Sequence, residues 1–166
     1  MNNEIVLKTF TEDDEPQYEQ MFNYKHIREN LSRFYPREYK NSVSRNSYTF
    51  YTINLNDEMI GSVWIELNEN EPNSTYLGVM IGPEKYLGKG IGTIAIKEAI
   101  EKSQDKLNFN KVKLNVRKNN ERAISCYTKI GFKIISEWNR LDENGKEYKC
   151  LTMEYKLQNT GKFVGR

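Results

Sequence analysis

The chain has 166 residues, of which 37% are hydrophobic and 29% are charged, as expected for one water-soluble domain with a sizeable core. Its net charge of +2 is close to balance and excludes the broad basic footprint of a nucleic-acid-binding protein. No apolar run reaches the length of a membrane-spanning helix, and residues 1–4 show no basic region before an apolar stretch. We therefore expect a cytoplasmic protein with no nucleic-acid or membrane partner.

The first 45 residues predict one strand and then a helical region. Residues 4–10 alternate between apolar and polar side chains, which predicts a strand. Thr11 is followed by three acidic residues, a typical helix start, and this predicts a helix that runs to about residue 24. The sequence predicts further helix over residues 25–45, with a break at Pro36.

The rest of the chain predicts six more strands and two helices. Apolar or alternating runs mark the strands, and polar turns separate them. This order of elements predicts a mixed sheet with helices on both faces, in one domain over residues 1–157 followed by a loose tail over 158–166. The strands are predicted over 48–55, 59–67, 75–81, 109–116, 132–139 and 147–156, and the helices from residue 91 onwards and over 120–130.

A glycine loop between the strand at 75–81 and the next helix is the most informative segment. Residues 86–92 read Tyr-Leu-Gly-Lys-Gly-Ile-Gly. Glycines at alternate positions let the backbone turn tightly and bring bare N–H groups close to a ligand. A helix that begins at such a loop adds its unpaired N–H groups and the positive end of its dipole. The segment therefore predicts an anion site that suits a phosphate.

Two common phosphate loops do not match this segment. A Walker A loop has Gly, four residues and then Gly-Lys-Ser/Thr, but Gly88-Lys89 is followed by Gly90. The dinucleotide fingerprint needs Gly-x-Gly-x-x-Gly and an acidic residue about 20 positions later. Here the glycines follow Gly-x-Gly-x-Gly, and residues 109–111 are Phe-Asn-Lys.

The loop resembles the pyrophosphate-binding loop of the GCN5-related N-acetyltransferases, which reads Arg/Gln-x-x-Gly-x-Gly/Ala. Leu87 stands where that family usually has Arg or Gln. The loop as a whole resembles the one found in the branch that contains aminoglycoside 6′-N-acetyltransferases. Residues 120–132 read Asn-Glu-Arg-Ala-Ile-Ser-Cys-Tyr-Thr-Lys-Ile-Gly-Phe. This block resembles the family signature Asn-x-x-Ala-x-x-x-Tyr-x-Lys-x-Gly-Phe at every defined position. Because both blocks occur in the family's order, the chain is identified as a member.

The resemblance implies an α/β fold whose mixed, mostly antiparallel sheet has a splayed central strand pair. In this family the strand before the glycine loop carries a bulge, and the pantetheine arm of acetyl-CoA lies against its exposed backbone. Backbone N–H groups of the loop hold the pyrophosphate. The cofactor-binding residues that the resemblance implies are Val79, Met80, Ile81, Leu87, Gly88, Lys89, Gly90, Ile91, Gly92, Thr93 and Asn120.

The implied reaction is attack of an uncharged amine on the thioester, with Tyr127 as the acid that protonates the leaving thiolate. A core tyrosine is the alternative for Tyr127, and Asn120 also suits a helix cap. Some relatives carry a Glu base where this chain has Asn115. Glu66 is the candidate base here, with Glu29 as a weaker candidate and a water chain as the alternative.

The sequence predicts no metal site and no cysteine nucleophile. Cys126 and Cys150 are isolated and lack metal-ligand spacing, which favours reduced structural thiols. Cys126 lies beside Tyr127, but His26 is the one histidine that could activate a thiol. His26 has no partner that the sequence reveals, and we interpret it as a surface or structural residue.

The acceptor and two other functions stay open at this stage. Charged loops at 68–74 and 140–147 and the region 20–45 are expected to shape the acceptor site, where carboxylates could attract a cation. The acceptor is then a small polycationic amine (an aminoglycoside or polyamine) or a peptide amine. The first alternative is a non-catalytic acyl-CoA-binding or regulatory module, and the second is a nucleotide-binding domain. The fold is often dimeric, so a homodimer is also expected among the partners. The candidate cation-attracting residues are Glu29, Glu69, Glu71, Asp142 and Glu143.

Overall fold

Seven strands form one sheet in the computed structural model, which describes residues 4–158. The order across the sheet is β1-β2-β3-β4-β5-β7-β6, and β4–β5 is the one parallel pair among these strands. The predicted mixed, mostly antiparallel sheet is therefore confirmed. The strands are β1 (Ile5–Thr9), β2 (Tyr48–Leu55), β3 (Glu58–Leu67), β4 (Ser74–Ile81), β5 (Lys111–Arg117), β6 (Lys133–Leu141) and β7 (Glu147–Lys156).

Four α-helices within the described residues cover the two faces of this sheet, as predicted. They are α1 (Glu15–Gln20), α2 (Lys25–Asn30), α3 (Ile91–Ser103) and α4 (Glu121–Ile130). Helices α3 and α4 pack against the apolar core on one face, and α1 and α2 pack against an aromatic cluster on the other. The core on the α3 side includes Ile96, Ala99, Val112, Leu114 and Phe132, and the aromatic cluster includes Phe10, Tyr18, Phe50 and Trp64.

Strands β4 and β5 pair over only three residues each and then separate. The pairing joins Ser74–Tyr76 to Lys111–Lys113. Beyond it, β4 continues along β3 and β5 continues along β7, so a gap opens between them. The predicted splayed strand pair is confirmed. The bulge expected in β4 is absent from its pairing with β3, because the register from Thr75 to Ile81 has no shift.

The helix prediction for residues 25–45 is wrong beyond Asn30. Residues 31–44 form turns and bends, and a short 3₁₀ helix follows at Arg45–Ser47. The backbone of this segment bonds to side chains of other elements: Phe34 accepts from the Tyr18 hydroxyl, and the Arg37 N–H donates to Glu66 at 2.7 Å. Pro36 also disfavours helical geometry in the residue before it.

The other predicted elements are confirmed with small differences at their ends. The helix expected from residue 11 to about 24 is α1 with 3₁₀ turns at Glu12–Asp14 and Met21–Asn23. Its predicted start is capped, since the Thr11 N–H donates to the Asp14 carboxylate at 2.8 Å. The predicted tail, apart from Gln158, lies outside the described residues. Within residues 4–158, no helix is long and apolar enough to cross a membrane.

Candidate functional site

Backbone N–H groups without a partner cluster at the glycine loop. The six groups of residues 88–93 donate to no acceptor within residues 4–158. Gly88 and Gly90 have φ of 72° and 80°, a region that disfavours other residues, and a Cβ added at either would meet nothing within 4 Å. The loop therefore faces open space and leads directly into the 13-residue helix α3. This arrangement can hold an anion.

The side chains of the loop differ in what they can add to this anion site. Ile91 is buried in the core and anchors the start of α3, so only its backbone faces a ligand. Lys89 is exposed and makes no ion pair within the described residues. The Thr93 hydroxyl, predicted to bind the anion, lies 3.3 Å from the Cys126 sulfur on α4. A free cation and six N–H groups therefore remain for the ligand.

The edge of β4 presents backbone groups to the gap. The Gly82 N–H donates to the Ile60 carbonyl at 2.7 Å, and the β3–β4 register is unbroken. Because hydrogen-bonded pairs alternate in an antiparallel ladder, Met80 bonds back to β3. Val79 directs its N–H and C=O groups away from β3 into the gap, as does the Ile81 N–H, while the Ile81 carbonyl is engaged by His26. Of the three strand residues predicted to face a cofactor arm, Val79 and Ile81 have backbone groups turned away from β3, and the Met80 backbone is paired with β3.

His26 ties helix α2 to the end of β4. Its Nε2 lies 3.0 Å from the Ile81 carbonyl oxygen, and a carbonyl can only accept, so Nε2 carries the proton. Nδ1 lies 3.7 Å from a carboxylate oxygen of Glu84. Sequence reasoning missed this contact because the partner lies 55 residues away and is a backbone group.

Tyr127 has an unengaged hydroxyl on α4. Its ring packs against the core, 5.9 Å from the Phe132 ring, but the hydroxyl makes no hydrogen bond within residues 4–158. Burial, and to a smaller extent the neighbouring Cys126, raise the pKa of the Tyr127 phenol above its ordinary value. The phenol therefore stays protonated near neutral pH and can donate a proton.

Asn120 caps α4 as predicted. Its Oδ1 accepts from the Ala123 N–H at 3.4 Å. The side-chain Nδ2 makes no hydrogen bond within the described part of the chain, so capping leaves two donors for a ligand.

Glu66 is committed to an ion pair. Its side chain is 5% exposed, and both of its oxygens accept from the Arg33 guanidinium. A third hydrogen bond comes from the Arg37 N–H. A carboxylate with both oxygens occupied is poorly placed to accept a proton from a substrate, so the structure favours an anchoring role for Glu66.

A polar chain that sequence reasoning missed supports Asn115 on β5. The Trp138 Nε1–H donates to the Thr152 hydroxyl at 3.0 Å, and that hydroxyl donates to the Asn115 Oδ1 at 2.7 Å. The two contacts join strands β6, β7 and β5. Alternation along each strand could have placed these three side chains on one face of the sheet. The sequence does not give the pairing of the strands, so it could not show that the side chains meet.

Together these groups suit an extended ligand with a phosphate at one end. The loop supplies N–H donors and a cation, β4 supplies an open strand edge, and a protonated phenol stands on α4. A family model described as the acetyltransferase (GNAT) family matches residues 7–132.

Curated relatives include two kinds of amine acetyltransferase. The chain is 33% identical over 100 residues to a spermidine N(1)-acetyltransferase of Escherichia coli K12, which covers 60% of this chain and 53% of that protein. It is 26% identical over 151 residues to an aminoglycoside N(6')-acetyltransferase type 1 of Klebsiella pneumoniae, covering 79% and 75% respectively. The chain thus spans about half the length of the spermidine enzyme.

Solved structures share the fold. The aminoglycoside acetyltransferase AAC(6')-Ib in complex with coenzyme A superposes with a TM-score of 0.73 at 23% identity, over 92% of this chain and 95% of that one. RimL, a ribosomal L7/L12 alpha-N-protein acetyltransferase in complex with coenzyme A, gives 0.77 at 15% identity, over 92% and 94%.

Proposed function

Since this chain belongs to the acetyltransferase (GNAT) family, whose cosubstrate is acetyl-CoA, we propose that it transfers an acetyl group from acetyl-CoA to a primary amine. The observation that carries the proposal is the run of six N–H groups at residues 88–93 that have no partner in the described part of the chain, beside the open edge of β4. The loop fits the pyrophosphate of the cofactor, and the strand edge fits its amide-bearing arm.

Acetyl-CoA binds across the gap in this proposal. Its pyrophosphate accepts from the N–H groups of 88–93, with Lys89 as a neighbouring cation. The arm runs from the loop towards Tyr76, where β4 and β5 meet, and pairs with the Val79 backbone and with the Ile81 N–H, since the Ile81 carbonyl accepts from His26. The Asn120 Nδ2 donates to the same arm. The thioester lies beyond Ile81 in the direction of Tyr76, so the Val79 N–H polarises its carbonyl oxygen.

The chemical step is direct attack in a ternary complex. The amine must be uncharged, because an ammonium has no lone pair, and water takes its proton, since both Glu66 oxygens are occupied. The nitrogen forms a bond to the thioester carbon, and the carbon–sulfur bond then breaks. Tyr127, whose phenol is kept protonated by burial, donates its proton to the departing thiolate. The products are the acetylated amine and CoA.

The acceptor approaches from the face of the sheet that carries α1 and α2. The arm enters the gap from the loop at the start of α3, and α3 lies on the opposite face. Two relatives described above are named for spermidine and an aminoglycoside, and a third, 25% identical over 101 residues (56% of this chain and 63% of that protein), is a peptidyl-lysine N-acetyltransferase of Escherichia coli K12. We therefore propose a small polycationic amine or a peptide amine as the acceptor. The cytoplasmic location and the homodimer stay predictions.

Release of CoA thiol from acetyl-CoA tests the proposal against a panel of aminoglycosides, polyamines and peptides. Transfer to at least one amine is expected, together with thermal stabilisation by acetyl-CoA alone. The competing function is a non-catalytic acyl-CoA-binding module. It is favoured by Glu66, because both carboxylate oxygens of this candidate base already accept hydrogen bonds. Stabilisation by acetyl-CoA with no transfer to any amine would support that module, and the lack of both would overturn the cofactor assignment.

A further inference from the structure

Strands β5, β7 and β6 form a polar wall beside the gap on the acceptor side. Alternation along β5 turns Leu114 and Val116 towards the core of α3 and α4, so Asn115 and Arg117 face the other side. Both lie on the half of β5 that no longer pairs with β4. The strand registers place four further side chains on the same face. The wall, as used below, consists of Asn115, Arg117, Trp138, Arg140, Tyr148 and Thr152.

The amide of Asn115 is oriented by its neighbours on this wall. The Trp138 N–H can only donate, so it fills one acceptor position of the Thr152 hydroxyl. The hydroxyl proton then has the Asn115 Oδ1 as its acceptor at 2.7 Å, and the reversed amide would leave that proton without one. The Asn115 Nδ2 therefore points away from Thr152. Asn115 is exposed, and its two N–H donors have no partner within residues 4–158.

Two arginines on the wall have no carboxylate partner within the described residues. The Arg117 guanidinium stacks 3.9 Å from the centre of the Tyr148 ring and is partly exposed, and Arg140 is exposed. Arg117 lies opposite Cys150 and Arg140 lies opposite Tyr148, and these two partners are neighbours on the same face of β7. The two positive charges therefore converge on one region of the wall.

On this face of β5, β6 and β7, no carboxylate pairs with either arginine within the described residues. The next acidic residue on this face, Glu154, lies opposite Lys113 and approaches Lys113 and Lys156 at 4.0 Å. Two of the residues predicted to attract a cation are already occupied. Glu71 forms ion pairs with Lys111 and Lys113, and the Asp142 carboxylate accepts from two N–H groups of its own turn.

The wall thus offers donors and positive charge where a polycation would need acceptors. We infer that the acceptor is a peptide amine with an acidic side chain close to it, held by Arg117, Arg140 and the Asn115 amide, and not a free polyamine. This inference rests on the proposed function and selects among its acceptors. A carboxylate suits the wall because charge-assisted hydrogen bonds from guanidinium groups are the strong ones.

Three matched peptides test the inference, each with the same N-terminal serine followed by two Asp, two Gln or two Lys residues. Spermidine and free aspartate complete the set, the latter to separate a peptide from an amino acid. The expected kcat/KM for the acidic peptide is about tenfold above that for the neutral one, and the ratio falls as salt is added. The basic peptide and spermidine are expected to be the poorest acceptors.

The variants Arg117→Gln and Arg140→Gln connect this ratio to the wall. Each is expected to lower the acidic-to-neutral ratio of kcat/KM severalfold. Arg117→Glu is expected to reverse the preference towards the basic peptide. Arg45→Gln is the control, because this exposed arginine also lacks an ion pair within residues 4–158 and lies near Lys106, beyond the far end of α3 from the loop.

The outcomes separate the inference from the proposed function. Transfer to spermidine or the basic peptide in preference to the acidic peptide would overturn the inference and leave the acetyltransferase intact. So would an acidic-to-neutral ratio that both arginine variants leave unchanged, or a preference for free aspartate over the acidic peptide. Transfer to no amine, although acetyl-CoA binds, would overturn both.

Discussion

Arg33 and Glu66 form a bidentate ion pair that joins the loop after α2 to strand β3. One guanidinium nitrogen donates to Oε1 at 2.9 Å, and the other donates to Oε2. The same arginine lies over the Trp64 ring, 5.5 Å from its centre. The Glu66 side chain is 5% exposed and that of Arg33 is 38% exposed, so the acid end of the pair is inside the fold. The pair holds residues 31–44 against the sheet.

The variant Glu66→Gln is expected to destabilise the fold without removing a general base. It breaks a half-buried ion pair, and we expect a loss of about 2 kcal/mol in the free energy of unfolding, between the values for exposed and buried pairs because Arg33 reaches solvent. Denaturant unfolding measures this loss. Glu69→Gln, at an exposed position, is the control and should leave stability unchanged. A pH–rate profile that loses its acidic limb in Glu66→Gln would instead identify Glu66 as the base.

Alanine at Gly90 and at Gly145 separates backbone strain from cofactor binding. Both glycines have positive φ, 80° and 79°, and neither added Cβ meets an atom within 4 Å. Each variant should therefore cost about 1 kcal/mol of stability, because alanine is strained in this conformation. Only Gly90→Ala is expected to weaken acetyl-CoA binding, by about tenfold, since its methyl group and altered backbone stand in the proposed pyrophosphate site. Titration with acetyl-CoA measures this, and equal affinities for the two variants would contradict the site.

Tyr127→Phe tests the proposed acid. Loss of a general acid lowers kcat by about a hundredfold or more, while acetyl-CoA affinity and stability stay nearly unchanged because the hydroxyl has no partner within residues 4–158. The control is Tyr155→Phe, whose ring packs 5.5 Å from the same Phe132 ring. Single-turnover rates isolate the chemical step. An unchanged single-turnover rate in Tyr127→Phe would leave this residue as a core tyrosine only.

Glu71 predicts a pH-dependent contribution to stability. The pKa of its carboxyl is lowered from 4.5 to about 2. The largest cause is the contact with Lys113 at 2.7 Å, and Lys111 and Ser74 contribute less. A group with a lowered pKa in the folded state stabilises the fold above its unfolded pKa and loses this effect as pH falls through the folded pKa. The wild type should therefore exceed Glu71→Gln in stability by a constant amount from pH 7 to about 5.

This difference should shrink as pH falls from 4.5 towards 2, as denaturant unfolding at several pH values would show. Glu69→Gln again serves as the control, because its curve should follow that of the wild type. A difference between wild type and Glu71→Gln that is the same at all pH values would contradict an electrostatic origin.

The parts of the site that local sequence determines were predictable. The glycine loop and the block at 120–132 each form one loop or helix, so their residue pattern alone predicted the tight glycine turn before α3 and the Asn120 cap. The strands followed from alternation, to within two residues at each end. The prediction that β4 and β5 separate came from the family resemblance, because no local pattern in either strand indicates where their pairing stops.

The parts that depend on distant partners were not predictable. Residues 31–44 have helical composition in places, but their backbone is held by Tyr18 and Glu66 from other elements. His26 found its partner in a backbone carbonyl 55 residues away. The orientation of the Asn115 amide depends on Thr152, and only the β5–β7 register shows that these two residues are neighbours.

A single turnover with acetyl-CoA and an accepted amine tests the central claim most directly, with both the protein and the amine analysed by mass. The account predicts that one acetyl group appears on the amine for each CoA released, and that the protein never carries an acetyl group. Acetyl-CoA that binds and stays intact with every amine would contradict the account and leave a binding module. An acetylated protein that forms before the product would contradict direct attack.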